Sequence, residues 1–436
     1  MVNRQDKTTV QHRRHESGFV GNMDMYDQAI RNASGDSGVV ILVLCRDLEL
    51  LPVGCYVYRV QIPKSGSAST YDTHSFIEKM NIRVDMITDA LRLGHTVLHT
   101  DVDVTFFEDP IPLIESACAP DDCQMAAMLD VDVYNAGFIF LRPRPEVLLL
   151  YRRLRHLCRY KRKDDQTCLN DVIQRMTDDV RVVGLSTEAF RSGVEHFENG
   201  RAEFGDNKRS PGCVVVHNNW LVGKEAKVYR YQENGFWAID FVTTSTKTMT
   251  NYYSDKNNRY LTFDLPPKES YRKDSLPTQA ETLRNALILG HILGRIVILP
   301  KFLCSDSTVG TYYCNVLHVV DFSSFHRFFG GFYREHRFLD HRLVPDSVRS
   351  DRETYEVSFV DRRPGAGDDG ILYVPVRGWN GTGSSVRSSV VYLTGVNNTL
   401  PEAVLDDDSL RRISDNFHLA IRIGNYRQYQ HRIVST

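Results

Sequence analysis

Between Ser75 and Leu91 the apolar residues Ile77, Met80, Val84, Ile87 and Leu91 recur at alternating intervals of three and four. That spacing follows the 3.6-residue period and predicts a helix with one buried face. Ser75 and Glu78 stand in capping-box spacing at its start, Gly94 marks its stop, and a strand over Thr96–Thr100 follows at once. The plan recurs near the middle of the chain. There Thr278 and Glu281 form the capping box, Leu283, Ala286, Leu287, Gly290 and Leu293 line the helix, Gly294 stops it, and Ile296–Pro300 is the strand. Each segment is the helix-to-strand half of an α/β unit.

Between these two segments, and just ahead of the first, lie short and nearly continuous apolar runs: 38–45, 124–129, 136–141, 180–185 and 212–217. Such runs suit strands buried on both faces. Helices are expected over 144–160, with Pro145 in the first turn, and over 166–176. This alternation through the first 240 residues predicts a doubly wound sheet, whose ligands bind outside the carboxyl ends of the strands. Asp101, Asp103 and His217 fall at such ends. A polar stretch over 242–259 reads as a linker. The expected organisation is therefore a polar tail (1–37), a sheet domain (38–241), the linker, and a second α/β domain (260–436). The glycine-rich loops at 362–370 and 377–385 lack the spacing of a phosphate-binding motif.

Composition narrows the partners. With 42% hydrophobic and 25% charged residues and a net charge of -2, the 436-residue chain has no electrostatic footprint for nucleic acid or an anionic membrane. The basic run Tyr151–Lys163 reads as the solvated face of a helix. No run of about 18 apolar residues predicts a transmembrane helix, and the polar first residues do not read as a secretory leader. Asn32, Asn380 and Asn397 nevertheless head glycosylation acceptor sequences. Among nine cysteines, Cys118 with Cys123 and Cys304 with Cys314 are spaced like small disulfide loops rather than a zinc site. The expected location is the secretory pathway, with any membrane anchor outside this sequence.

The candidate chemistry starts at Leu93–Pro110, where a short apolar run precedes two carboxylates one residue apart. On a strand, Asp101 and Asp103 would share one face while Val102 and Val104 point into a core. Like charges so placed repel, and a hard divalent cation between them is the natural relief. An Asp-x-Asp alone also fits an acidic turn. Three further segments follow in order: Tyr134–Pro143 (Tyr-Asn-Ala-Gly-Phe at its head), Asp164–Asp171 and His217–Arg230. Together the four resemble glycosyltransferase family 77, the nucleotide-diphospho-sugar transferases, over residues 38–240. The resemblance implies a GT-A fold, a sugar-nucleotide donor that is usually UDP-linked, Mn2+, and retention of anomeric configuration.

Transfer from such a donor expels a diphosphate, whose growing charge must be neutralised. Asp101 and Asp103 would hold a cation bridging the two phosphates as a Lewis acid. His217 would be a third ligand, and nitrogen beside carboxylates favours Mn2+ over Ca2+, with Mg2+ as the substitute. His217 alone would read as an ordinary polar histidine. Lys224 and Lys227 follow a turn at Gly223 and can reach the phosphates; the family pattern favours Lys227. Asn135, Ala136 and Gly137 start a strand where small residues let a sugar approach the backbone, although an asparagine there also suits a turn. Asp165 and Gln166 resemble the family's Asp-Gln pair beside the transferred sugar, which with Asn135 makes up the candidate catalytic set. Asp165 is the expected sugar-side carboxylate; alternatively Asp164 or Asp165 merely caps a helix.

The second half carries a different resemblance. Leu283–Phe302 is similar to the opening of protein O-fucosyltransferase-like domains, and Leu419–Tyr426 resembles their His-x-Arg-x-Gly-Asp segment with Arg422 retained and Ala420 and Asn425 replacing His and Asp. A Rossmann-like accessory or acceptor-binding domain is the expectation. The leading function is a metal-dependent, retaining glycosyltransferase of the Golgi lumen acting on a glycan or glycoprotein. The alternatives are a catalytically silent glycan- or nucleotide-binding protein of the same fold, and a hydrolase or phosphatase on the same acidic site. The hydrolase reading leaves the Asn135 and Lys227 segments unexplained.

Overall fold

The computed structural model describes residues 39–43, 74–119, 122–161, 163–199, 211–237, 239–243, 249–265, 276–306, 310–360, 365–366, 371–375, 387–394, 396 and 400–421. Asn32, Asn380, Asn397, Arg422, Asn425 and most of the two glycine-rich loops lie outside the described residues. The chain divides into two compact units, Met1–Val222 and Gly223–Thr436.

In the first unit a five-stranded sheet runs in the order β1 (Val39–Val43), β2 (Thr96–Thr100), β5 (Val133–Leu141), β4 (Met125–Asp130), β6 (Val182–Gly184). Helix α1 (His74–Arg92) precedes β2, which lies parallel to β1. Gly94 in the left-handed region (φ 85°) ends the helical segment as its sequence position suggests. The capping box does not mark the start, because the helix already begins at His74 and Ser75 lies within its first turn. The sheet is mixed rather than purely doubly wound: β5 runs antiparallel to both neighbours. Only Val131 and Asp132 separate β4 from β5, and two residues can close a hairpin but not a parallel crossover. A smaller sheet follows, β3 (Val104–Phe106) and β7 (Phe190–Arg191) flanking β8 (Val215–His217).

Alternation along β5 divides the core. Ile139 and Leu141 pack with helical residues of α1, α3 (Pro145–Lys161) and α4 (Asp165–Gln174), while Phe138 and Phe140 pack with Leu98, Met128, Phe190 and Val215 on the other side. Helix α2 (Ile111–Cys118) closes that second layer, tied by the Cys118–Cys123 disulfide.

The second unit is built on a seven-stranded sheet in the order 333–334, 296–298, 260–263, 390–394, 352–360, 371–375, 365–366. Every neighbouring pair is parallel except the last. Its helix Leu276–Leu293 precedes the strand Ile296–Ile298 as the pattern predicts, with Gly294 (φ 61°) as the stop. That helix starts two residues ahead of Thr278, whose carbonyl accepts from the Thr282 hydroxyl at 2.9 Å, so Thr278 is an interior residue and not a cap. The second disulfide, Cys304–Cys314, links two antiparallel strands. Both units are α/β, the class expected.

The boundary between units falls ahead of the 242–259 stretch read as a linker. Helix Lys224–Glu233 belongs to the second unit, where Tyr229 packs on Phe322 with ring centroids 4.9 Å apart. The presumed linker contributes antiparallel strands Phe241–Thr243 and Met249–Asn251 and the buried Tyr252 and Tyr253. Among the described residues no helix is long and apolar enough to cross a membrane.

Candidate active site

Strand β2 ends at Thr100, and the next backbone N–H, that of Asp101, donates to the Gly137 carbonyl on β5 at 2.8 Å. Residues 102 and 103 form a turn, so the two aspartates do not share a strand face. Val102 accordingly points to solvent, 63% exposed, instead of into a core, and only Val104 packs partly inward. The carboxylates converge for another reason. The chain turns back into β3, which pairs antiparallel with β8 in the register Val104 opposite His217. His217 Nε2 then lies 3.7 Å from Asp101 Oδ2 and 3.5 Å from Asp103 Oδ1. One ligand atom from each of the three residues lies within 4.8 Å of the others. Two carboxylates and an imidazole at that spacing fit a divalent cation.

Gly137 forms the floor of this group. A Cβ there would sit 2.5 Å from Asp101 Oδ2 and 2.6 Å from His217 Cε1, closer than real side chains approach. Its smallness therefore admits the candidate metal ligands to the strand, whereas the sequence suggested room for a sugar.

Arg83, which motif reading missed, joins the metal group to the Asp-Gln segment. It projects from the buried face of α1 and donates from Nη1 to Asp101 Oδ1 at 2.5 Å and from Nε to Asp165 Oδ2 at 2.6 Å, with Nη2 also on that Asp165 oxygen. His99 Nε2 lies 3.4 Å from the same guanidinium. One buried cation is thus shared by two carboxylates. Burial works to raise the Asp101 carboxyl, but Arg83, a hydrogen bond with His99 and the nearby His217 hold it well below the usual carboxylate range. Asp165 goes the other way: burial, with Asp101 and Asp164 adding to it, outweighs Arg83 and raises its pKa. Burial also lowers His99, favouring its neutral ring. Burial opposes the charge on Arg83 too, yet the two aspartates raise its pKa and keep it protonated. The signal was present in the sequence: Arg83 sits three residues after Met80 and four before Ile87, on the apolar stripe itself. An arginine in that position needs a buried acidic partner.

The capping alternative is settled between neighbours. Asp164 is the N-cap of α4, accepting from Thr167 N at 2.9 Å and from the Thr167 hydroxyl at 2.7 Å. Asp165, one residue on, is left for Arg83. Gln166 and Asn170 dock the helix on β5: Gln166 Oε1 accepts from Ala136 N at 3.2 Å, and Asn170 bonds both the N–H and the carbonyl of Tyr134. Asn135 is an interior strand residue and not a turn, its Oδ1 accepting from Gly137 N at 2.7 Å. Asp101, Asp103, Asn135, Gly137, Asp165, Gln166 and His217 all belong to the first unit. Gly223, Lys224 and Lys227 belong to the second, with Gly223 (φ 100°) as N-cap of the helix that carries both lysines.

Residues 43–231 match the nucleotide-diphospho-sugar transferase family. Among curated relatives, UDP-D-xylose:L-fucose alpha-1,3-D-xylosyltransferase MGP4 of Arabidopsis thaliana is 26% identical over 197 residues, 40% of this chain and 54% of the relative. Beta-arabinofuranosyltransferase RAY1 of the same plant is 26% identical over 195 residues, 39% of this chain and 36% of the relative. UDP-galactose:fucoside alpha-3-galactosyltransferase of Dictyostelium discoideum is 23% identical over 225 residues, 45% of this chain and 33% of the relative. The chain spans about half the length of the xylosyltransferases it matches. A crystal structure of the glycosyltransferase GlyE of Streptococcus pneumoniae aligns over 50% of this chain and 56% of its own at 15% identity, with a TM-score of 0.25. The four motifs fall, in order, within the matched residues 43–231, and over that part the chain is similar to the nucleotide-diphospho-sugar transferase family.

Proposed function

We propose that the protein transfers a sugar from a nucleotide-diphosphate donor to a glycan acceptor, with Asp101, Asp103 and His217 holding a divalent cation. The observation that carries the reading is the convergence of those three side chains over Gly137 inside the family-matched segment. The relatives' names pair UDP-xylose or UDP-galactose with fucose or fucoside acceptors, which supports a UDP-linked donor and a glycan, free or on a glycoprotein, as acceptor. The mixed oxygen and nitrogen donor set favours Mn2+, with Mg2+ as the substitute. When bound, the ion would supply Lewis-acid neutralisation of the leaving diphosphate.

The chain's own residues do the rest. Asp165, buried and paired with Arg83, is the sugar-side carboxylate of a retaining transfer, and Gln166 beside it orients the donor sugar with Asn135. Lys227, and Lys224 beside it, supply positive charge to the phosphates. Two disulfides support an oxidising compartment, for which the Golgi lumen is the reading.

Calorimetric titration of UDP with and without Mn2+, followed by a panel of UDP-sugars for Mn2+-dependent hydrolysis and transfer, tests the proposal. Wild-type protein is expected to bind UDP only with the metal and to turn over at least one donor. Asp103→Ala is expected to lose the metal-dependent part while keeping its fold, because the residue lies on a turn outside the core. Metal-dependent UDP binding that persists in Asp103→Ala would overturn the metal assignment. Binding without turnover of any donor would instead favour a silent binding protein.

A further inference from the structure

Asp130 ends β4 and is 5% exposed, although no motif points to it. Its two oxygens accept from four neutral side-chain N–H groups. Oδ2 takes Asn135 Nδ2 at 3.1 Å and Gln166 Nε2 at 3.3 Å; Oδ1 takes Asn219 Nδ2 at 3.1 Å and Trp220 Nε1 at 2.5 Å. The first pair belongs to β5 and α4, the elements that carry Gly137 and Asp165. The second pair lies two and three residues after His217, in a segment whose Asn218 N–H already donates to the Asp103 carbonyl at 2.8 Å. Trp220 sits at φ 57°, a left-handed conformation that a bulky residue holds only when its surroundings impose it. Its indole bond to Asp130 is such an imposition. Asn219 is engaged at its other end too, its Oδ1 accepting from Gly193 N at 2.6 Å.

We infer that Asp130 is a positioning residue that fixes the His217 end of β8 against the Asn135–Gln166 face of the site; its consequence for the metal rests on the function proposed above. A carboxylate is all acceptor, and here both oxygens are used twice. An asparagine in its place keeps the shape but offers one acceptor oxygen, so its amide N–H2 must face either the Asn135 and Gln166 donors or the Asn219 and Trp220 donors. One half of the clamp then opens. A carboxylate needed only to fill space would tolerate that exchange.

The test uses the full chain carrying Asp130→Asn, with 15N-labelled tryptophan and 13C-labelled histidine. The chain has three tryptophans, so the Trp220 indole resonance is assigned by Trp220→Phe and the His217 ring resonance by His217→Gln. Asp130→Asn is expected to move both resonances while leaving the circular dichroism spectrum unchanged, and to weaken binding of Mn2+ alone by about 10-fold, as loss of supporting hydrogen bonds around metal ligands does. Trp220→Phe removes one donor and keeps the carboxylate, and it is expected to shift the His217 resonance less. A folded Asp130→Asn protein with both resonances in place would overturn the inference. Should Asp130→Asn fail to fold, Asn219→Ala and Trp220→Phe decide it: an unmoved His217 resonance in both would overturn it equally. If wild-type protein binds no Mn2+, the proposed function fails at its metal, while the two resonances still decide the role of Asp130.

Discussion

At the scale of single residues, the site depends on which of two adjacent aspartates does what. Asp164 caps a helix and Asp165 meets a buried arginine, so isosteric amide substitutions should separate them. Asp164→Asn is expected to change stability by less than about 0.5 kcal/mol, since asparagine caps as well as aspartate, and to leave turnover near wild type. Asp165→Asn removes one of the two carboxylates that share the Arg83 cation and is expected to lower the catalytic rate by about 100-fold or more, on the order of 3 kcal/mol. Steady-state kinetics and thermal melts on the two variants measure this. Equal losses in both would return Asp165 to a purely helical role. The sequence showed the Asp-Gln pair but not its partner, because Arg83 and Asp165 are 82 positions apart and only packing of α1 on α4 joins them.

At the scale of elements, local pattern held where an element is defined by its own periodicity and failed where a neighbour defines it. The helix over 74–92 and the glycine stop after it follow from the 3.6-residue stripe and a positive φ. The stretch read as a linker contains a strand pair because Asp240 organises the chain beyond it. The Asp240 carbonyl accepts from Tyr252 N at 2.6 Å, and its Oδ1 accepts from Tyr253 N at 2.7 Å and Ser254 N at 3.1 Å, with the Ser254 hydroxyl on Oδ2. Burial works to raise this carboxyl, but the bonds it accepts from Ser254 and Tyr253 prevail and hold it below its ordinary value. A carboxylate with a depressed folded pKa stabilises in full above the unfolded value of about 4, and that contribution is lost as pH falls through the folded pKa. Asp240→Asn is therefore expected to be less stable than wild type at pH 7, with the gap closing below pH about 4. Denaturant unfolding across that range checks it, and a gap independent of pH would contradict it.

At the scale of the molecule, the unit boundary after Val222 places Lys224 and Lys227 outside the unit that holds the aspartates. The family match runs on to residue 231, so the matched segment crosses this boundary. A chain ending at Val222 is expected to fold and bind Mn2+ as the full chain does, and the role proposed for the two lysines predicts that it binds UDP about 10-fold more weakly. A chain beginning at Gly223 is expected to bind neither. Calorimetry on the two halves measures both. Undiminished UDP affinity in the shorter chain would remove the lysines from the donor site. Cutting at Asp240 is a poorer choice, since it strips Tyr229 of its contacts with Phe322 and Tyr333.

The amino-acid order alone determined the α/β class, the two helix-to-strand repeats, the two disulfide loops and the four motifs of the proposed sugar-nucleotide site. Each of these is carried by spacing within a short window, where the periods of helix and strand leave a direct imprint. Tertiary structure decided the direction of β5, the turn that brings Asp101 and Asp103 together, and the partners of Arg83 and Asp130. Those rest on hydrogen bonds between residues such as Asp130 and Trp220, 90 positions apart. A buried charge states that it needs a partner, but which residue answers is set by the folding of distant elements onto one another.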